Sequence, residues 1–155
     1  MLVVRGANVT AGYLNDPERT ARAFTRDGYL KSGDMAHVDG GYIFILGRYD
    51  DVFNSGGEKI APLEIERVLD TCPGIERSAV VGQTDPQRGT VPVAFVQTSR
   101  ELTRREVVHY VTQQLSKSKV PLRFYRVSAF PTTPNGKLQR NRLSPSDPYV
   151  LGELA

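Results

Sequence analysis

The sequence is poor in the features that mark secreted, disulfide-bonded and membrane proteins. It has one cysteine, Cys72, which excludes an internal disulfide and a cysteine-rich metal site. No apolar run approaches the roughly 18 residues that a membrane-spanning helix needs. The opening stretch MLVVRGANVT has only a very short apolar run and no small-residue cleavage site, so it does not form a secretory signal. We therefore expect a cytoplasmic protein without a transmembrane segment.

Charged residues are unevenly distributed along the chain. Residues 1–99 carry 10 Lys and Arg against 13 Asp and Glu, whereas residues 100–142 carry 10 against 2. A basic segment of this kind suits a polyanionic ligand such as a nucleotide, coenzyme A, nucleic acid or an anionic membrane. From charge alone, a solvated surface without a partner is the simpler explanation.

Helix and turn signals divide the chain into three parts. Between residues 49 and 143, the order strand, helix, strand, strand, helix, strand predicts a compact α+β domain. Pro62 begins the first helix of this domain, and a capping box of Thr103 and Glu106 begins the second. Residues 1–48 supply a few strands and one helix, too little to enclose a core, so we expect the closing piece of a larger β-rich body. Residues 144–155 are predicted to be a loose tail.

Three short stretches carry candidate functional residues, and the first is YLKSGD at residues 29–34. A carboxylate such as Asp34 on a glycine-tightened turn can accept hydrogen bonds from two neighbouring hydroxyls, which is how a ribose diol is held. An ordinary hairpin turn explains the same residues without any ligand.

The second stretch is GRYDDVFNSGGEKIAPLEIE at residues 47–66. Arg48 offers a planar set of donors to sugar or phosphate oxygens. Gly56 and Gly57 permit backbone angles closed to other residues and let a ligand approach the main chain, while Lys59 adds a cation. The alternative is a hairpin with a glycine turn and surface charges.

The third stretch is PTTPNGKLQR at residues 131–140, in which Lys137 follows a turn framed by Pro131 and Pro134. A lysine held at a rigid turn can bring a compact positive charge to a reacting carboxylate and phosphate, where it stabilises the charge that develops during transfer. An exposed type I′ turn followed by a basic surface run is the alternative.

In this order and at these separations, the three stretches resemble the C-terminal motifs of the adenylate-forming, or AMP-binding, superfamily. The stretch VVRGANVTAGYLNDPERTARAF is similar to its Gly-Tyr-x-(Asn/Asp)-x-Pro-Glu-x-Thr segment, and GRYDD to its Gly-Arg-x-Asp-Asp motif. Ser32 stands where the Thr-Gly-Asp motif commonly has threonine. FPTTPNGKLQRNRL resembles the closing Pro-x-x-x-x-Gly-Lys-x-x-Arg motif, and NSGGEKIAPLEIE is most like the acyl- and aryl-CoA ligases.

The resemblance implies a role for each candidate residue. Asp34 and Arg48 would contact the nucleotide ribose, and Asp50 would be the hinge at which a small C-terminal lid domain swings between two half-reactions. Lys137 would be the catalytic lysine of the adenylation step. A loop lining the coenzyme A channel would contain Gly56, Gly57, Glu58 and Lys59. No metal ligand is expected in this chain.

The implied reaction is that of an ATP-dependent acyl-CoA ligase. A carboxylic acid attacks the α-phosphate of ATP, which is bound with Mg²⁺, and pyrophosphate leaves an acyl-adenylate behind. The lid then turns, and the thiol of coenzyme A displaces AMP. The implied fold is the small C-terminal α+β domain of these enzymes, preceded by a β-rich remnant of their large N-terminal domain.

The chain has no Gly-rich cluster with Ser or Thr and Lys that could cradle a triphosphate. We therefore expect that it does not adenylate anything alone, and that it is a fragment, a truncated gene product, or a lid that completes an N-terminal domain in cis or in trans. One alternative is a catalytically silent lid or binding module acting with a separately encoded partner. Another is a nucleic-acid-binding protein, suggested by the pI of about 9.1, but the aromatic stacking platform of such proteins is missing, so no nucleic-acid partner is expected.

Overall fold

A computed structural model describes residues 1–155, which divide into two compact units, Met1–Asp50 and Asp51–Ala155. The three α-helices of the chain have seven, eight and nine residues. None of them has the length and hydropathy that a bilayer crossing requires.

The first unit consists of two small antiparallel sheets and one helix. Strand β1 (Val3–Val4) pairs with β2 (Leu30–Lys31), and β3 (Asp34–Asp39) pairs with β4 (Tyr42–Arg48). Helix α1 (Pro17–Ala23) begins where the side chain of Asp16 accepts a hydrogen bond of 2.9 Å from the backbone N–H of Arg19. No residue of this unit is buried.

The second unit begins with a hairpin and continues into a four-stranded sheet. The hairpin joins β5 (Phe53–Ser55) to β6 (Glu58–Ile60), and helix α2 (Pro62–Leu69) follows it. The sheet has the order β10-β9-β8-β7, in which β8 and β9 run parallel and the other neighbours antiparallel. Its elements are β7 (Ile75–Asp85), β8 (Gly89–Thr98), α3 (Arg104–Thr112), β9 (Arg123–Val127) and β10 (Val150–Glu153).

The sheet of the second unit carries apolar side chains on both of its faces. Alternate residues of the strands point to opposite faces, so Phe124 packs with one buried cluster and the neighbouring Tyr125 with another. The first cluster lies under the helices and contains Ile65 and Leu69 of α2 and Val107 of α3, among others. The second is closed by Phe130 and Leu143, which flank the segment of Lys137. The sequence prediction of a compact α+β domain is confirmed.

Helix α3 begins with the predicted capping box. The side chain of Thr103 accepts from the N–H of Glu106, and the Glu106 carboxylate accepts from the N–H of Thr103. Cys72 lies in the first cluster, and burial raises the pKa of its thiol. This cysteine is therefore a core residue.

The prediction of a loose tail at residues 144–155 is wrong for its last part. Strand β10 pairs with β9, with Val150 opposite Val127 and Glu153 opposite Tyr125. The N–H of Leu154 donates to the carbonyl of Phe124 at 2.9 Å, and its side chain is buried in the first cluster. β10 thereby pairs with the N–H and C=O groups of β9 that face away from β8.

Candidate functional site

The first candidate pair, Asp34 and Arg48, lies at the open end of the β3–β4 hairpin. The two residues are register partners, and Nη1 of Arg48 stands 3.5 Å from Oδ1 of Asp34 and 3.2 Å from the carbonyl oxygen of Ser32. Gly33, directly before Asp34, has a φ of 78°, and a Cβ built there would lie 2.9 Å from the guanidinium of Arg48. The arrangement presents a partly exposed carboxylate and guanidinium side by side, which suits a diol or a phosphate oxygen.

Asp50 is the last residue of the first unit and is exposed on a 3-10 turn, Tyr49–Asp51. The next residue, Asp51, opens the second unit and accepts a hydrogen bond of 3.1 Å from Nε of Arg140. The predicted hinge thus coincides with the boundary between the two units, and its neighbour is anchored within the second.

The glycine loop closes the β5–β6 hairpin. Gly56 and Gly57 have φ values of 56° and 84°, in the left-handed region that a type I′ turn requires. No heavy atom lies within 4 Å of a Cβ built at either glycine, so the loop faces open space. Glycine is needed here for the backbone angles and not to relieve crowding.

Glu58 joins this hairpin to the turn Lys117–Lys119. Its carboxylate accepts a hydrogen bond from the Ser118 hydroxyl and lies 4.0 Å from Nζ of Lys119. Lys119 also donates to Glu64 at the start of α2, at 2.7 Å. The loop is therefore held in place on one side, while Lys59, opposite Asn54 in the hairpin register, stays exposed.

Lys137 follows the turn of another short hairpin, with Thr132 bridged to Leu138. The N–H of Thr133 donates to the carbonyl of Lys137 at 2.8 Å, and the N–H of Lys137 donates to the Thr133 hydroxyl at 3.1 Å. The N–H of Gly136 donates to the Thr133 carbonyl at 2.8 Å. These bonds fix the backbone of Lys137, and the residue itself is exposed.

The turn before Lys137 is not the type I′ turn considered from the sequence. Its second position is Pro134, whose ring holds φ at about −65°, whereas a type I′ turn needs positive φ at both central residues. Only Gly136, with a φ of 77°, is left-handed in this hairpin.

Arg140, whose role was missed in the sequence, is the most extensively bonded side chain in this part of the chain. Both oxygens of Glu66 accept from its guanidinium, the second at 2.8 Å, and Asp51 accepts from its Nε. Nη1 of Arg140 also donates to the carbonyl of Val80 at 3.3 Å. Burial alone would lower the pKa of Arg140, but the hydrogen bonds and charges of Glu66 and Asp51 raise it above its ordinary value.

A signal for this interaction was present in the motifs. Arg140 is the last residue of the Gly-Lys-x-x-Arg motif and Glu66 the last of the Pro-x-Glu-Ile-Glu motif. The structure brings the two together across 74 positions of sequence.

No group of three His, Cys, Asp or Glu side chains is placed to hold a metal ion.

Comparison with known proteins finds one matching family model. Residues 64–137 match the AMP-binding enzyme C-terminal domain. The 2-succinylbenzoate–CoA ligase of Enterococcus faecalis is 39% identical over 142 residues, 91% of this chain and 29% of that protein. The ligase of the same name from Bacillus cereus strain ATCC 10987 is 41% identical over 143 residues, 92% of this chain and 30% of that protein. The chain thus spans under a third of the length of these relatives.

Two solved structures extend the similarity to both units. The o-succinylbenzoate CoA synthetase from Bacillus subtilis, in complex with the acyl-adenylate intermediate OSB-AMP, matches with a TM-score of 0.88 and 34% identity. The match covers 98% of this chain and 31% of that chain. ATP-bound MatB from Rhodopseudomonas palustris matches with a TM-score of 0.82 and 35% identity, over 90% of this chain and 28% of that one.

Proposed function

Because the chain belongs to the adenylate-forming superfamily as the C-terminal portion of such an enzyme, most like the acyl- and aryl-CoA ligases, we propose that it works in an ATP-dependent acyl-CoA ligase. The complete enzyme joins a carboxylic acid to coenzyme A through an acyl-adenylate. The first acid to test is 2-succinylbenzoate, which appears in the names of the curated relatives. We place the reaction in the cytoplasm, where a single buried cysteine stays reduced.

The observation that carries this proposal is the environment of Lys137. The N–H and the carbonyl of Lys137 are both hydrogen-bonded to Thr133, and the residue is exposed on the hairpin. An ammonium group presented in this way can approach a reacting carboxylate and α-phosphate and stabilise the negative charge that builds up between them. We assign Lys137 the catalytic role in adenylation.

Asp34 and Arg48 are proposed to hold the ribose of the nucleotide. The carboxylate can accept from two hydroxyls, and the guanidinium of Arg48, 3.5 Å from it, can donate to the same ligand. ATP would bring Mg²⁺ on its phosphates. The cationic side chains of this chain would add their positive charge to that of Mg²⁺ as hydrogen-bond donors. No cluster of acidic side chains in the chain is placed to hold the ion itself.

The two half-reactions are proposed to use different parts of the second unit. Residues 49–143 would act as the lid, residues 1–48 as the tail of the N-terminal domain, and Asp50 as the hinge between adenylation and thioester formation. The open glycine loop, with Gly56, Gly57, Glu58 and Lys59, would then line the channel for the pantetheine arm of coenzyme A. Its left-handed glycines let a thin ligand pass close to the backbone.

The test is a chimera in which this chain replaces the equivalent third of the Bacillus subtilis synthetase. The wild-type chimera should form both the acyl-adenylate and the CoA thioester. Lys137→Ala should lower ATP–pyrophosphate exchange by about 100- to 1,000-fold, the usual cost of losing one group that stabilises a developing oxyanion. Its rate of thioester formation from supplied acyl-adenylate should stay within a few fold.

Lys31→Ala is the matched control, because Lys31 is an exposed lysine that donates only to the carbonyl of Arg22. It should leave both rates unchanged. A chimera that binds nucleotide or coenzyme A but catalyses neither step would contradict the proposal and favour the alternative of a silent binding module.

The isolated 155-residue chain is expected to be inactive, because it contains no phosphate-cradling loop. ATP–pyrophosphate exchange with the purified chain should stay at background with every acid tested. Measurable turnover would overturn this expectation.

A further inference from the structure

Arg140 lies at the centre of a partly buried ion-pair network that joins four segments of the second unit. We call this network the Arg140 clamp; it consists of Arg140, Glu66, Asp51 and the backbone of Val80. These residues belong respectively to the segment after Lys137, helix α2, the start of the unit and strand β7.

The clamp is geometrically restrictive. Glu66 is only 4% exposed, and its Oε1 accepts from the N–H of Val80 at 2.7 Å in addition to the guanidinium. A carboxylate so deeply buried must be paired, and a guanidinium facing both of its oxygens fixes direction as well as distance. Since Nε of Arg140 is also bonded to Asp51, the plane of the guanidinium has little freedom to turn.

The clamp is separated from Lys137 by only two residues. The N–H of Gln139 donates to the carbonyl of Pro131 at 2.9 Å, which closes the base of the lysine hairpin directly before Arg140. On the other side, Leu143 is buried in the second cluster. The hairpin therefore projects from a base that is fixed by the Arg140 clamp and by the packing of Leu138 and Leu143 with the second cluster.

We propose that Arg140 is a positioning residue for Lys137, acting with Glu66 and Asp51. The clamp fixes the direction in which the lysine hairpin leaves the second unit. It also links that hairpin to Asp51, the first residue after the unit boundary, so that a turn at Asp50 moves Lys137 as part of a rigid body. The inference rests on the proposed function and assigns Arg140 no contact with substrate.

The first test uses hydrogen exchange on the whole 155-residue chain and needs no catalysis. Arg140→Lys keeps the charge but loses the planar donor set, and Asp51→Asn leaves Glu66 paired and is the milder variant. In both, amides of residues 133–139 should exchange about tenfold faster or more, the effect of losing one charge-assisted hydrogen bond. Amides of β7 and β8 should be unchanged.

The control is Arg100→Lys, which removes another guanidinium with an ion-pair partner, one that reaches Glu106 at 3.1 Å and the carbonyl of Pro73 at 3.4 Å. It should leave the exchange of residues 133–139 at the wild-type rate. Equal protection of this segment in wild type, Arg140→Lys and Asp51→Asn would overturn the clamp.

The second test separates positioning from stability in the chimera described above. Arg140→Lys should slow ATP–pyrophosphate exchange by about tenfold or more, while thioester formation from supplied acyl-adenylate changes little. Adding Arg140→Lys to Lys137→Ala should cause no further loss, because residues that act as a unit are not additive.

The outcomes separate the two proposals. If Arg140→Lys slows both half-reactions alike and adds fully to Lys137→Ala, then Arg140 only stabilises the fold and the inference is wrong. If the wild-type chimera is inactive, the proposed function is wrong, and hydrogen exchange alone decides whether the clamp holds the hairpin.

Discussion

The carboxylate of Glu106 takes part both in the N-terminal cap of α3 and in an ion pair with Arg100. It accepts hydrogen bonds of 2.8 Å from the N–H and the hydroxyl of Thr103 and one of 3.1 Å from Arg100. These interactions, chiefly the backbone hydrogen bond, lower the pKa of Glu106 to about 2 from an ordinary value of 4.5. The ionised form is therefore favoured by folding.

Stability should depend on this group in a defined pH window. A depressed pKa contributes stability that is present above about 4.5 and is lost as the pH falls toward about 2. Glu106→Gln should lower the thermal midpoint near pH 6, and the difference from wild type should shrink as the pH falls through that window. Glu76→Gln, at an exposed strand position, is the control. The difference between its thermal midpoint and that of wild type should not change through this pH window.

At the residue scale, the sequence predicts the structure best where backbone geometry needs one residue type. The left-handed pair Gly56 and Gly57 and the capping box of Thr103 follow from local rules. Arg140 was missed because its importance depends on burial of Glu66, 74 positions away, which no local pattern reveals. The roles of Lys137 and Asp50 stay predictions.

At the scale of elements, β5 packs against the sheet, and the ring of Phe53 lies close to Gly82 of β7. A Cβ built at Gly82 of β7 would lie 2.7 Å from Cγ of Phe53 and 2.9 Å from Cγ2 of Thr90. Glycine at this strand position leaves room for the Phe53 ring to cover the sheet. The contact links the glycine hairpin to the sheet.

Gly82→Ala should therefore destabilise the second unit by about 1 kcal/mol, the low end of the cost of overpacking, because Gly82 is exposed and the Phe53 ring is only partly buried. In a double-mutant cycle, Phe53→Leu should relieve the clash, so the combined loss should be smaller than the sum of the two single losses. Urea unfolding followed by circular dichroism measures each term. Full additivity would show that the two side chains do not meet.

Strand β10 and the residue that follows it offer a matched pair of leucines. Leu154, directly after the strand, is 8% exposed, whereas Leu151 within the strand is 56% exposed. Leu154→Ala should cost about 2 kcal/mol or more in unfolding free energy, and Leu151→Ala about 0.5 kcal/mol or less. Equal effects in urea unfolding would mean that the strand is not packed as described.

The strand was missed in the sequence for a physical reason. The segment SPSDP contains two prolines and two serines, which are signals of an irregular connection. Only pairing with β9, a non-local event, makes the following residues a strand. The helices and hairpins, by contrast, were predictable because their caps and turns are encoded within a few residues.

At the scale of the whole molecule, the two units differ in the interactions that stabilise each of them internally. The second has buried clusters on both faces of its sheet, whereas the first has no buried residue at all. Its β4 strand exposes a continuous apolar run, with Tyr42 at 73% and Ile43 at 57%. Local hydrogen bonds, not a core, define its shape.

Hydrogen exchange should therefore be uneven along the isolated chain. Amides of β3 and β4 should exchange near the rate of an unprotected backbone, while those of β7, β8 and β9 should be strongly protected, because local stability follows apolar burial. Mass spectrometry of peptides from the two units measures the contrast. Comparable protection in both units would refute this reading of residues 1–50.

Strand β10 covers the outer edge of β9, which would otherwise promote aggregation at high protein concentration. Without it, the outward N–H and C=O groups of Arg123–Val127 could recruit a strand from another molecule. β10 is itself a poor template, because it has four residues and its register with β9 shifts between Val150 and Gly152. A variant that lacks residues 150–155 should consequently aggregate at concentrations where the 155-residue chain remains monodisperse.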